Sequence, residues 1–506
     1  MEERFYPLSA YKALLERNNL LLEDNLTEEG GKKKIRCLSY NSAEVEFGTL
    51  FVCKGAHFSP KYLQEALNKG AIAYVSETRD ERVGGDIPYL LVKDIRTAMA
   101  KLADFFYHQP WKQLELIGIT GTKGKSTTAY FMRAILDDYL KEMKKPASGI
   151  ISGIDNYDGV ITEESHLTTP EAMMFHRHMA NAVNSGIEYL TMEVSSQALK
   201  YQRTLGVTYD IGCFLNIGND HISDIEHPDI QDYIEAKMIL FSQCKTAVVN
   251  KDSSYCQKVL DAAKEGESVE RILTFGMDEG ADIVGYDVVP GKRGIRFKAK
   301  SDSFDEEFKI GLTGLFNVSN ALAAITMAYG LNIPLANIKA GLKKAKVSGR
   351  MEVFTNKAET LTVIVDYAHN QMSFNSLFES TKKEYPEKKI IIVFGCPGKK
   401  ALGRRKELGD IAGKYADLSI LTEEDAGEEP VAKISEEIAA HIKAQGGNYE
   451  LIPDREEAIK RAIEKADDHT VILLTGKGRE TRQKRGTEYI DTPSDVDYVE
   501  KYLAKK

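Results

Sequence analysis

The 506-residue sequence contains no run of about 18 apolar residues, so no segment reads as a bilayer-spanning helix. Its opening, MEERFYPLSAYKALLERNN, carries acids early and lacks the apolar core of a secretory leader. Six cysteines (Cys37, Cys53, Cys213, Cys244, Cys256 and Cys396) are scattered without a C-x-x-C pair. That spacing argues against a disulfide framework and fits reduced thiols in a cytoplasmic protein. An excess of positive charge is also missing. With 67 Lys+Arg against 76 Asp+Glu the net charge is −9, which weighs against nonspecific nucleic-acid binding. There is no internal repeat and no long low-complexity tract. The length exceeds what one core fills, since domains average about 100–200 residues.

Short β-branched or apolar runs alternate with helical patterns almost throughout, the signature of α/β units around parallel sheets. In the first hundred residues TLFVCKG and AIAYVSE flank the helical KYLQEALNKG. The segment DIRTAMAKLADFFYH then places Ile95, Ala98, Met99, Leu102, Phe105 and Phe106 on one face, with Asp94 as N-cap and Pro110 as terminator. Three domains are expected, over residues 1–112, 113–345 and 346–506. The second is expected to carry strands YLTMEVS and DIGCFLNI, a helix DIQDYIEAKMILFSQC, and a small β-rich insertion over about 270–312. The third shows four buried-looking strands, TVIVDYA, IIIVFG, LSILTE and VILLTGKG, as in a small doubly wound, Rossmann-like sheet.

The second domain opens on ITGTKGKST. Here Gly121 and Gly124 free the backbone to point N–H groups at phosphate oxygens, Lys125 can reach the β/γ-phosphates, and the Ser126 hydroxyl can ligate Mg²⁺. The strict phosphate-loop pattern asks for glycine at position 119, where this chain has Ile119. The strand before the turn and the helix after it supply the context the mechanism needs, so nucleotide binding is expected. Glu193 closes the strand YLTMEVS; its bland reading is a carboxylate capping the next helix. Asp220 and His221 follow another greasy strand, and such a pair is commonly just a turn with a satisfied imidazole. Both places nevertheless lie where open α/β sheets put their ligands. Lys237, in an amphipathic helix, reads as a solvated surface lysine.

Taken in order, GITGTKGKSTT, LTTPEA, MEVSSQAL, NIGNDHI, HPDIQDYIEAK, FNVSNALAA, SGRMEV, VDYAHN, PDREEAI and GKGRE resemble the Mur ligases, most closely the UDP-N-acetylmuramoyl-peptide synthetases of the MurE type. The resemblance runs from about residue 35 to the end. It implies an ATP-dependent amide ligase of peptidoglycan synthesis, working through an acyl phosphate on a UDP-muramoyl dipeptide. It further implies ATP contacts from Gly121, Thr122, Lys123, Gly124, Lys125, Ser126 and Thr127, with Asn317, Arg350 and Asp366. It makes Glu193 and His221 metal ligands beside Ser126, with two Mg²⁺ sites, and Lys237 a lysine carbamylated by CO₂. Thr168, Thr169, Ser195 and Arg203 are implied to hold the muramoyl peptide, and Arg405, Gly476 and Glu480 the incoming amino acid. A cytoplasmic monomer acting on small molecules is the corresponding expectation.

Two segments depart from the family pattern. An Asp-Ser-Arg triplet usually found in the first domain is Asn41-Ser42-Ala43 here, which keeps only Ser42 for the uridine end. The loop that in diaminopimelate-adding members carries Asp-Asn-Pro-Arg is LTEEDAGEEP, one residue shorter and without arginine. Its Glu424 and Asp425 suit a substrate with a cationic distal end, lysine or ornithine; alternatively these acids face solvent. Two other readings stay open: a folylpolyglutamate synthetase-like ligase, against which the roughly 110 residues before the phosphate turn weigh, and a nucleotide-binding regulator that has kept the fold.

Overall fold

The computed structural model describes residues 5–55, 58–84, 86–165, 167–218, 220, 222, 226–291, 293–504 and 506. The chain is α/β and builds three principal sheets in succession. The first has strands β1 (Leu21–Asp24), β2 (Cys37–Ser39), β3 (Thr49–Val52), β4 (Ala71–Ser76) and β5 (Tyr89–Val92) in the order β1-β5-β4-β3-β2. Only β1 runs antiparallel. Asp94 caps the Ile95–Phe106 helix as expected, accepting from the Arg96 and Thr97 N–H groups.

The second sheet has eleven strands. Its centre is β6 (Glu115–Thr120), flanked by β10 (Tyr189–Glu193) and β11 (Tyr209–Phe214), all parallel. Beyond β10 lie β7 (Gly149–Ile151), β8 (Asp155–Tyr157) and β9 (Thr162–Glu164). On the other side follow β12 (Cys244–Asn250), β13 (Arg271–Gly276), β14 (Ile283–Gly291), β15 (Gly294–Lys300) and β16 (Asp305–Ile310). The segment expected as a β-rich insertion therefore continues the central sheet itself. The reason lies in its side-chain alternation: Ile295, Phe297 and Ala299 are buried and join the main core, while Arg296, Lys298 and Lys300 stay outside.

That core is closed by the helices Lys125–Glu142, Asn317–Gly330 and Leu335–Lys344. Gly341 is the point of closest approach: a Cβ there would lie 2.4 Å from the Ile135 Cα. The phosphate-turn helix is thereby locked against its neighbour along much of its length.

The third sheet, β17 (Glu352–Thr355), β18 (Thr362–Asp366), β19 (Lys389–Phe394), β20 (Leu418–Leu421), β21 (Tyr449–Leu451) and β22 (Thr470–Thr475), runs in the order β17-β18-β22-β19-β20-β21 and is parallel apart from β17. A hairpin, β23 (Arg482–Arg485) with β24 (Glu488–Asp491), follows it. Buried Arg455 ties the chain leaving β20 and β22 to the start of the helix Asp495–Leu503. It pairs with Asp495 at 2.6 Å and donates to the carbonyls of Thr475 (2.7 Å) and Glu423 (3.3 Å). All six cysteines are free of disulfides. Among the described residues no helix is long and apolar enough to cross a membrane.

Gly341→Ala is expected to destabilise the protein by about 1–3 kcal/mol, because the added methyl has no room against the Ile135 backbone. Urea unfolding checks this; an unchanged midpoint would show that the two helices can part without cost.

Candidate active site

The parallel centre of the second sheet delivers its loops to one edge. The chain leaving β6 turns at Gly124, whose φ of +86° and lack of a Cβ both matter: a Cβ would come within 2.2 Å of Asn320 Oδ1. Asn216, just past β11, holds the turn from both sides. Its Oδ1 accepts from the Lys123 N–H (2.9 Å) and its Nδ2 donates to the Lys123 carbonyl (3.0 Å). Thr122 donates its N–H to the Asn216 carbonyl and shares a hydroxyl contact with Tyr233 at 3.2 Å. Ser126 and Thr127 begin the helix, buried under the turn.

Three lysines converge here. Lys125 Nζ donates to the carbonyls of Gly121 (2.9 Å) and Thr122 (3.3 Å). Lys237 Nζ donates to the same Gly121 carbonyl at 3.1 Å and sits 4.5 Å from the Tyr233 ring centroid. Lys123 Nζ lies 3.3 Å from Asp220 Oδ2 and 3.4 Å from His369 Nε2. Burial lowers the pKa of all three: Lys123 to about 8, Lys125 below its ordinary value, and Lys237 far below, with Lys125 adding repulsion. Among the described residues no carboxylate pairs with Lys237.

The surface lysine expected at 237 is thus inside, 1% exposed. The signal lay in the helix period: Tyr233, Ile234 and Lys237 fall three and four residues apart on one face, and all three are buried. Glu193 is likewise buried and does not cap the next helix; Ser195 does so, accepting from the Ala198 N–H. One Glu193 oxygen accepts from the Gly153 N–H at 2.7 Å, and the other takes no hydrogen bond among the described residues. His221 lies outside the described residues. Asp220 lies six residues past the end of β11 at Phe214. Among the described residues no group of three or more His, Cys, Asp and Glu side chains could by itself hold a metal.

The third domain closes over the turn. Asn370 and Arg404 both donate to Asp220, Arg404 at 3.2 Å. His369 Nδ1 donates to the Tyr367 carbonyl (2.7 Å), which fixes the tautomer and leaves Nε2 as an acceptor toward Lys123. Burial, then Lys123, keeps that ring's pKa well below its usual value. Arg350 Nη2 reaches Ser126 Oγ at 3.5 Å and lies 4.6 Å from the Tyr367 ring. Asp366 accepts from the Met351 and Ala368 N–H groups, its pKa raised by burial. The motif VDYAHN gives no sign in the sequence of the parts His369 and Asn370 take here. Arg404, not the expected Arg405, is the residue that faces the junction.

Two cavities meet at this place. One, of about 360 Å³, is lined by Lys123, Gly124, Thr127, Asn317, Arg350 and Asp366 among others. The second, of about 460 Å³, is lined by Gly153, Asp155, Glu163, Arg350, Tyr367 and Lys477 among others. Arg350 and Tyr367 belong to both and form the wall between them. Thr168 Oγ1 lies close to Gly153, on the Glu193 side. Thr169 Oγ1 donates to the Glu193 carbonyl (2.9 Å) and accepts from the Ser195 N–H (2.9 Å). Arg203 donates to the Thr169 carbonyl and pairs with Glu171, which Lys54 of the first domain also engages.

At the far end of the second cavity Lys477 pairs with Glu480 (2.6 Å) and Asp425 (3.1 Å), and Tyr367 OH donates to Glu480. Glu424 is 8% exposed, backs onto Gly476, and takes no hydrogen bond among the described residues; burial raises its carboxyl to about 7. Its acids therefore do not simply face solvent. Arg405 is committed elsewhere, donating to both oxygens of Glu429 and to Glu437. That partnership holds Glu429 at about 2. In the first domain a cavity of about 570 Å³ lies over the ends of β3 and β4, lined by Cys53, Phe58, Ser76 and Arg79 among others. Ser42 is not among its lining residues; its hydroxyl donates to Glu65 at 2.9 Å.

Two family models match the chain: the Mur ligase middle domain over residues 119–328 and the Mur ligase glutamate ligase domain over residues 349–478. The chain is 36% identical to the UDP-N-acetylmuramoyl-L-alanyl-D-glutamate--L-lysine ligase of Enterococcus faecalis, over 99% of both chains. It is 35% identical to the UDP-N-acetylmuramyl-tripeptide synthetase of Lactobacillus delbrueckii subsp. bulgaricus, over 96% of both. Among solved structures it is similar in fold to a UDP-N-acetylmuramoyl-L-alanyl-D-glutamate--2,6-diaminopimelate ligase, with a TM-score of 0.68, 23% identity and 99% coverage of both chains.

Proposed function

The chain belongs to the Mur ligase family, and from that premise we propose that it joins L-lysine to UDP-N-acetylmuramoyl-L-Ala-D-Glu at the expense of ATP. The observation that carries this reading is the pair of cavities divided by Arg350 and Tyr367, one beside the phosphate turn and the other lined by Lys477 and Glu480, with the buried Glu424 carboxylate set behind that end against Gly476. In this reading residues 1–112 receive the UDP end, with Ser42 near it, residues 113–345 the nucleotide phosphates, and residues 346–506 the amino acid. A cytoplasmic monomer belongs to the same proposal.

The D-Glu carboxylate accepts the γ-phosphoryl group, and the amino group of lysine then displaces phosphate from the acyl carbon, losing a proton. The reacting groups are anionic, so positioning and charge neutralisation are what the protein must provide. Lys125 exchanges its two carbonyl acceptors for phosphate oxygens, and the helix N-terminus beneath it adds its dipole. Arg350, on the dividing wall, is placed to attend the oxygens that pass between the cavities. Asn317 and Asp366 bound the nucleoside side. Thr168, Thr169, Ser195 and Arg203 hold the peptide beside Glu193.

The residues fit magnesium. Glu193 keeps one buried oxygen without a hydrogen bond, Ser126 starts the helix, and Lys237 is a buried lysine that burial and Lys125 drive toward the uncharged amine, the form that takes up CO₂. Glu193, Ser126, a carbamate on Lys237, and His221 would hold two ions. Bound there, magnesium supplies positive charge to the phosphoryl oxygens. Lys237→Ala should be inactive and partly restored by acetate. Full activity without acetate would remove the carbamate from the account.

For the amino acid, Glu424 is the free carboxylate, since Asp425 is already paired with Lys477. A carboxylate with a pKa of about 7 attracts the distal ammonium only when ionised. The KM for lysine should therefore fall about tenfold between pH 6 and pH 8, as the ionised fraction rises. In Glu424→Gln that pH dependence should be absent; the same slope in the variant would assign it to another group.

The deciding measurement is phosphate release with ATP, Mg²⁺ and UDP-MurNAc-L-Ala-D-Glu, with lysine, ornithine and meso-diaminopimelate in parallel. Turnover with lysine and little with diaminopimelate is expected. Preference for diaminopimelate would overturn the assignment of Glu424, and silence with all three from a folded, ATP-binding protein would favour a regulator. The folylpolyglutamate reading is disfavoured by the first sheet, β1 to β5, which precedes the phosphate turn, and by relatives that match over nearly the full length.

A further inference from the structure

The segment 423–427 between β20 and the next helix holds three consecutive acids, and the structure gives each a different fate. Glu423 is met end-on by Arg485 of the β23–β24 hairpin, Nη2 to Oε1 at 2.6 Å and Nε to Oε2 at 3.0 Å. Asp425 Oδ1 accepts from the Lys484 N–H at 2.9 Å, and the Asp425 N–H donates to Gln483 Oε1 at 2.9 Å. Two main-chain bonds continue the seam, from the Gly427 N–H to the Lys484 carbonyl (3.0 Å) and from the Gly486 N–H to the Gly427 carbonyl (2.8 Å). Gln483 itself is 3% exposed. Of the three, Glu424, between two anchored neighbours, is the one whose side chain takes no hydrogen bond among the described residues.

We infer that the β23–β24 hairpin braces the amino-acid loop, and that Arg485 is a positioning residue for substrate selection: its bidentate pair with Glu423 holds the loop so that Glu424 presents its carboxylate to the incoming amino acid. This rests on the assignment of Glu424 made above. The geometry of the pair is the reason an otherwise ordinary ion pair matters. Glu423 is 7% exposed while Arg485 is half-exposed, so the arginine reaches in from the rim and fixes an acid that has no freedom to move away. A lysine could supply the charge but not the two-point grip. Asp425 carries the same brace on the other side of Glu424, its carboxylate spent on the Lys484 N–H and the Lys477 ammonium. Among the described residues none of the seam lines the 360 Å³ cavity beside the phosphate turn, so the brace is directed at one substrate alone.

The test uses the full-length protein with ATP and UDP-MurNAc-L-Ala-D-Glu, measuring KM and kcat for lysine and for ornithine, KM for ATP, and the melting temperature. Arg485→Gln should raise the KM for lysine about fivefold, the upper end for a half-exposed pair, with ATP and the melting temperature little changed. The lysine-to-ornithine preference should flatten, and Arg485→Lys should recover part of it. Glu423→Gln should match Arg485→Gln, and the double variant should be no worse than either single one. Glu424→Gln is the control. If it loses lysine affinity while both Arg485 variants keep theirs, the brace is wrong and the Glu424 assignment stands. If Glu424→Gln is silent, both fall. Equal losses for lysine and ATP with a lowered melting temperature would make the hairpin a stabilising element only, which also overturns the inference.

Discussion

Repulsion among buried cations governs this molecule. Lys123, Lys125 and Lys237 are brought to one turn, where main-chain carbonyls, Asp220 paired with Lys123, and the nearby charge of Glu193 meet them among the described residues. Asp220 is shared as well with Arg404 and Asn370 of the third domain. Buried ammonium groups without matching anions are costly, and proteins accommodate them by lowering the pKa or by admitting negative charge. The rest of the site can be read as provision for such charge. There is a glycine turn that can open onto phosphate, a lysine that burial drives toward the neutral amine, and a glutamate with one oxygen to spare.

The same constraint explains how the domains are joined. Asn216 fixes the turn to the second sheet, so the lysines cannot retreat from one another by moving the loop. From the third domain His369 offers Nε2 as an acceptor to Lys123, while Asn370 and Arg404 hold Asp220 in place and Arg404 adds a further positive charge. The two domains meet through polar contacts beside the phosphate turn and through Phe316 of the second, which packs against the apolar core of the third. An interface of that mixed kind is of the sort across which domains move relative to one another.

The sequence made the architecture readable wherever period was clean. Strands β3 and β4 of the first sheet, β18, β19, β20 and β22 of the third, and the Asp94 cap follow directly from apolar runs and capping chemistry, whereas β1, β2, β5, β17 and β21 were not read from the sequence. Nor was the edge of the central sheet, because a meander and an inserted unit share the same alternation, and only packing onto the core tells them apart. At the site, the phosphate turn was legible because backbone geometry demands particular residues in consecutive positions. Lys237 was misread because charge was weighed before helical face. The fates of Glu423, Glu424 and Asp425 could not be read at all, since they depend on partners some sixty residues away. Arg404 and Arg405 are adjacent and chemically identical; the turn of helix that separates their directions sends one to Asp220 and the other to Glu429.

The wall formed by Arg350 and Tyr367 has a thermodynamic meaning beyond partition. Arg350 touches Ser126 on one side and Tyr367 on the other, and Tyr367 donates to Glu480 at the amino-acid end. Two side chains in contact thus span from the phosphate turn to the far pocket. Any ligand that orders one of them lowers the entropic cost of ordering its neighbour for the next ligand, and linkage requires the gain to be mutual. With nucleotide and amino acid in the two cavities as proposed, that reciprocity would link their binding through a wall two residues thick.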